Sequence, residues 1–235
     1  MAFTTFLSCN KAGALKQYQQ ILSRNPNDYE SRMRMAYCHS VLGDRSQAAA
    51  QYRETANRSN SQCIRDVNNA LAIGCEGQYA KCLEMLSGAA SKYKESFLVW
   101  HNLGEMNSML GNTSAASKAF AEATRLNPND PWNRVLYGEV LRAQGDHKQA
   151  REQYEKAIEC NSQVTLAHAG LALCKLGQGD VAAAKQHMKT ANSINPNLVP
   201  ITDPFLYREI RGKHFIQLFY SVNNFIHFQV NKTVL

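Results

Sequence analysis

What this chain of 235 residues lacks narrows its class before anything else does. No uninterrupted apolar run approaches the roughly 18 residues of a membrane-crossing helix, so no transmembrane span is expected. The first residues, MAFTTFLSCNKAG, carry no basic stretch ahead of an apolar one, which argues against a secretory signal. Phe6-Leu7-Ser8-Cys9 has the letters of a lipid-attachment site, but the apolar segment before it is too short to serve as one. None of the seven cysteines stands in a Cys-x-x-Cys pair, and no cysteine–histidine cluster has zinc spacing. An odd set of scattered thiols reads as reduced cysteines filling small core positions, and a cytoplasmic location is expected. The Asn-x-Ser/Thr triplets at Asn57, Asn112 and Asn231 carry little meaning without a secretion signal.

Signs of catalysis are also missing. The histidines, His39, His101, His147, His168, His187, His214 and His227, are spread along the chain, and no two stand four residues apart. There is no Gly-x-Ser-x-Gly and no glycine-rich phosphate loop. No catalytic residue, metal or cofactor is expected. The net charge is +7, with the excess at the two ends, but no run of five like charges occurs. Scattered Lys and Arg of this kind solvate exposed helix faces. Nucleic-acid binding through the basic ends is the weakest of the readings.

What is present is a rhythm. Gly43, Gly77, Gly111, Gly145 and Gly179 recur every 34 residues. Five residues after each comes a small side chain: Ala48, Cys82, Ala116, Ala150 and Ala184, with Ala14 one period upstream. Four further on stands a larger one: Tyr18, Tyr52, Leu86, Phe120, Tyr154 and Met188. Three after that the residues are mostly small again: Ile21, Thr55, Ala89, Ala123, Ala157 and Ala191. Seven before each glycine stand Ala36, Ala70, Gly104, Gly138 and Ala172. A 34-residue unit has room for two helices of about 13 residues and two turns. The glycine ends the first helix in a left-handed conformation, and the small residues let two helices approach closely. Pro26, Pro128 and Pro196 stand where the second helix has to stop, and Asp130 with Pro131 is suited to start the next.

This pattern resembles the tetratricopeptide repeat family. The best match, 97–130, has Trp100, Leu103, Gly104, Gly111, Ala116, Phe120, Ala123 and Pro128 in the family's marker positions, and departs from it at Asn107, where an aromatic is usual. The weakest match is 63–96, with Asn69 in a leucine position and Lys94 in that of the proline. The resemblance implies an all-α, right-handed superhelical solenoid of helix-turn-helix repeats. Its organisation would be a half-repeat or cap over 1–28, five units at 29–62, 63–96, 97–130, 131–164 and 165–198, and a C-terminal amphipathic capping segment over 199–235. In that segment Phe215, Leu218, Phe219, Val222, Phe225 and Ile226 recur at three- and four-residue spacing. Residues 11–26 read as the second helix of a further unit whose first helix is shortened to a remnant in 1–9, with Asn10 as its cap.

In the family the first helix of each unit lines the concave face. The resemblance therefore places Met33 and Tyr37, then Ile64, Val67 and Leu71, then Leu98, His101, Glu105 and Met109 along a partner groove. Trp132, Val135, Glu139 and Arg142 follow, then Leu166 and Leu173. Trp132, in the first turn of its helix, is expected to be an exposed anchor. Family members that clamp acidic chaperone tails need cations in the groove. The matching positions here, Met33, Tyr37, Asn68, Leu98 and Asn102, hold none, so that clamp is absent. The leading reading is a non-enzymatic scaffold, adaptor or chaperone-like carrier that binds another protein or peptide. The second is a homo-oligomer assembled through the aromatic C-terminal segment.

Overall fold

The computed structural model describes residues 2–195, and the expectations for Pro196 and the capping segment 199–235 fall outside the described residues. The described residues form twelve α-helices and no strand. These pair as hairpins: α1 (Ala2–Leu7) with α2 (Lys11–Arg24), α3 (Tyr29–Val41) with α4 (Arg45–Arg58), and α5 (Gln62–Cys75) with α6 (Tyr79–Lys92). α7 (Phe97–Met109) pairs with α8 (Thr113–Leu126), α9 (Pro131–Ala143) with α10 (His147–Cys160), and α11 (Thr165–Gly177) with α12 (Val181–Ile194). Each helix packs mainly on the one before and the one after it, which makes the chain a solenoid of helical hairpins.

Local chemistry accounts for the punctuation. The five periodic glycines have φ between 77° and 92°, a region costly for any residue with a Cβ, and each ends the first helix of a unit. Asp28, Asp44, Asp130, Asp146 and Asp180 each accept, through a side-chain oxygen, the backbone N–H three residues on. Asn10 does the same for Gly13 at 2.9 Å. Pro131 occupies the first turn of α9, where its missing N–H costs nothing.

Packing explains the residue columns. The Tyr154 ring is held between two glycines: a Cβ on Gly138 would lie 2.7 Å from it, and one on Gly170 2.5 Å. The Tyr154 hydroxyl donates to Glu139 Oε1 at 2.6 Å. Phe120 fills the same place against Gly104. Arg32 and Arg134 occupy equivalent positions in the first and fourth units and work alike. Each donates back to a proline carbonyl in the preceding turn, Pro26 (2.5 Å) or Pro128 (2.7 Å), and across to Gln51 (3.3 Å) or Gln153 (3.0 Å). Departures from the repeat have local solutions. Asn107 is buried and donates to the Leu103 carbonyl at 2.9 Å, whereas Asn69 is exposed, where a polar side chain is tolerated.

The first hairpin meets the fifth. One continuous core joins Phe6 and Leu7 of α1, Tyr18 of α2 and Met35 and Cys38 of α3 to Trp132 and Val135 of α9, Tyr154 of α10 and Leu166 of α11. A separate core, built on Val67, Leu86, Val99 and Leu103, fills the middle units.

Candidate functional site

The concave side holds a cavity of about 910 Å³. Its walls come from four first helices: Met33 and Tyr37 from α3, Ile64 from α5, Leu98, His101 and Glu105 from α7, and Trp132 from α9. Helical spacing aims these side chains to one side, since residues three and four apart share a face. A second hollow of about 100 Å³ adjoins it, bounded by Leu71 and Met109 and sharing Tyr37 and Glu105.

The remaining groove candidates lie elsewhere. Val67 and Val135 are fully buried in the core. Leu166 is buried and Leu173 half-buried between units. Glu139 and Arg142 pair with each other at 3.1 Å, and Glu139 also holds Tyr154. Trp132 is not the exposed anchor its position implied: only 3% of its surface is accessible. The reason is Phe6, whose ring lies 5.0 Å from the indole, together with Tyr37 at 6.1 Å.

Electrostatics concentrate beside these rings. The Lys11 ammonium is buried, 3.4 Å from the Phe6 centroid and 4.6 Å from that of Trp132, and donates to the Phe6 carbonyl at 3.0 Å. Burial pulls the Lys11 pKa below that of an ordinary lysine, opposed in part by the nearby Cys9, Cys38 and Glu105. Glu105 goes the other way: burial raises its carboxyl, while His101, a hydrogen bond with Trp132 and Lys11 pull it back. Its Oε2 lies 4.0 Å from His101 Nε2, and its Oε1 is buried without a hydrogen-bond partner. The His101 ring stacks on Phe97 at 5.3 Å, and its Nδ1 lies 2.9 Å from Asn133 Oδ1. At the mouth, Arg34 pairs with Glu30 at 2.8 Å and lies over Phe3 at 3.8 Å.

Periodicity alone did not bring out Phe6 and Lys11. The available signal was Phe3, Phe6 and Leu7, one apolar face of a short helix, set just ahead of the Asn10 cap. Burial pushes thiols up, Cys38, Cys75 and Cys174 to about 11 and Cys82 to about 12, so these four stay protonated, and Cys38, Cys82 and Cys174 act as apolar filler while the half-buried Cys75 bonds with Ser40. No group of three or more His, Cys, Asp or Glu placed to hold a metal ion occurs among the described residues. No helix among them is long and apolar enough to cross a membrane.

Two family models, each described as a tetratricopeptide repeat, match residues 109–165 and 141–200. Superkiller complex protein 3 of Homo sapiens is 28% identical over 100 residues, which span 43% of this chain and 6% of that protein. Solved structures share the fold at low identity. YrrB, described as a TPR protein with an unusual peptide-binding site, superposes with a TM-score of 0.54 at 18% identity, over 83% of this chain and 98% of that one. Cut9, in the APC/C hetero-tetramer Cut9-Hcn1, gives 0.59 at 17% identity, over 80% of this chain and 38% of that one. MamA from Desulfovibrio magneticus RS-1 gives 0.55 at 14% identity, over 79% and 97%.

Proposed function

Because the chain belongs to the tetratricopeptide repeat family, we propose that it is a non-enzymatic scaffold or adaptor that holds a segment of another polypeptide in its concave groove. The observation that carries this reading is the 910 Å³ cavity, with walls supplied by the first helices of successive units. Its lining combines apolar side chains (Met33, Ile64, Leu98) with polar and charged ones in similar number (among them Arg34, Lys92, His101 and Glu105), a mixture that can grip a peptide and fix its direction. The peptide-binding site in the description of YrrB, which shares the fold, agrees with it. A cytoplasmic location fits the protonated, core-filling thiols.

Leu98→Lys tests the reading, since Leu98 is half-buried in the wall, where it also packs against the middle core, and a helix-content control separates loss of binding from loss of fold. Partners captured by the natural chain from a lysate should be lost by the variant, with helix content unchanged by circular dichroism. A weakening of at least about 2 kcal/mol is expected for a central groove position. A variant that keeps every partner sinks the groove reading.

A further inference from the structure

One place beside the cavity is already filled. The Phe6 ring sits with Trp132 edge-on at 5.0 Å, Tyr37 edge-on at 5.6 Å and the Lys11 ammonium 3.4 Å from its centroid. Its carbonyl accepts from Lys11 Nζ. These contacts recognise an aromatic ring and a main-chain carbonyl, and nothing in them requires a covalent link to α2. The helix that delivers Phe6 has six residues, too few to hold together unaided. It joins α2 through Cys9, the one non-glycine residue with positive φ (63°) among the described residues, a conformation that costs a residue with a Cβ.

We propose that α1 is a built-in occupant of this seat, and that the partner segment displacing it carries an aromatic side chain into the place of Phe6, where the ammonium of Lys11 on α2 remains to meet it. This rests on the groove reading and gives the chemistry of the partner. A tethered occupant competes at high effective concentration, so an outside segment binds with its affinity reduced by the fraction of chains whose seat is open.

The probe is a fluorescein-labelled peptide of the chain's own residues 2–12 with Cys9→Ser. A companion carries Phe6→Ala in addition. The proteins are the full chain and its Phe6→Ala variant. The variant, its seat vacated, should bind the probe at least tenfold more tightly than the natural chain does. The Phe6→Ala peptide should bind the variant at least tenfold more weakly than the probe. Equal affinity for the probe and its Phe6→Ala companion, or no binding by a folded variant, overturns the proposal. If Phe6→Ala loses its cooperative melt, hydrogen exchange on the natural chain decides. Excess probe should speed exchange at the α1 amides at least fivefold and leave α2 protected, and no change refutes displacement. Dimers of the natural chain that the probe dissociates would assign the seat to a second copy's α1 and overturn internal occupancy. Loss of partners by Leu98→Lys alongside failure of the peptide to bind would leave the groove reading standing and this inference alone overturned.

Discussion

Asn133 Oδ1 lies 2.9 Å from His101 Nδ1, which ties the first helices of two successive units together in the cavity wall. The same side chain donates to Thr124 Oγ1 at 2.8 Å and to the Phe120 carbonyl at 3.3 Å, and its backbone N–H is held by Asp130 at 2.6 Å. Asn133 is fully buried, so its amide has no water to fall back on. Asn133→Ala should cost about 2 kcal/mol. This would appear as a lower urea midpoint at unchanged slope. Combined with His101→Ala, the losses should sum to less than their total, because the two variants break one shared contact. Full additivity would refute the coupling.

The glycines at close approaches should respond oppositely to one in open space. Gly170→Ala drives a Cβ to 2.5 Å from Tyr154 Cζ, and overpacking of this kind costs about 1–3 kcal/mol. Gly88→Ala, within α6 where nothing lies within 4 Å of the added carbon, should stabilise by up to about 1 kcal/mol through helix propensity. Thermal melts of the two variants decide it, and shifts of the same sign would contradict the packing described for Tyr154.

At the turns the penalty comes from the backbone. Gly145 has φ 85° and empty space around the position of a Cβ. Gly145→Ala should therefore cost about 1–2 kcal/mol, and Gly145→Asn less, since asparagine tolerates the left-handed region. Equal midpoints for the two variants would exclude a conformational origin.

His168 makes stability depend on pH. Burial lowers its pKa below the ordinary 6.5, opposed by a hydrogen bond to the Ser162 carbonyl, and the His187 ring 5.9 Å away is lowered too. As pH falls through this range, the unfolded chain takes up protons that the folded chain resists. The stability is therefore present above 6.5 and is lost as the pH drops below it. His168→Gln should flatten the dependence of the urea midpoint between neutral and mildly acid pH. A variant as pH-sensitive as the natural chain would count against His168.

Much of the fold was written locally. The turn glycines, the Asp130 cap and Pro131 answer to backbone demands set within a few residues, so their spacing shows in the sequence. The site was only partly legible. Met33, Tyr37, Ile64, Leu98, His101, Glu105 and Trp132 do converge on one cavity. Val67, Val135 and Leu166 turn inward instead, because the curvature of the stack decides which inner positions meet the next unit, and periodicity carries no curvature. Phe6 was the hardest to see. Six residues are too few to display a period, and its main contact lies on a helix four units away.

The core that joins α1, α2 and α3 to α9, α10 and α11 changes how the molecule comes apart. An open row of repeats frays from its tips, each unit answering only to its neighbours. A row whose first hairpin is clasped to its fifth has no loose end at that tip, and denaturation of the stretch from α1 to α10 should come as one sharp step. Opening the clasp at Phe6 should broaden that step into a gradual peeling, so the steepness of the melting curve reports on whether the seat is filled.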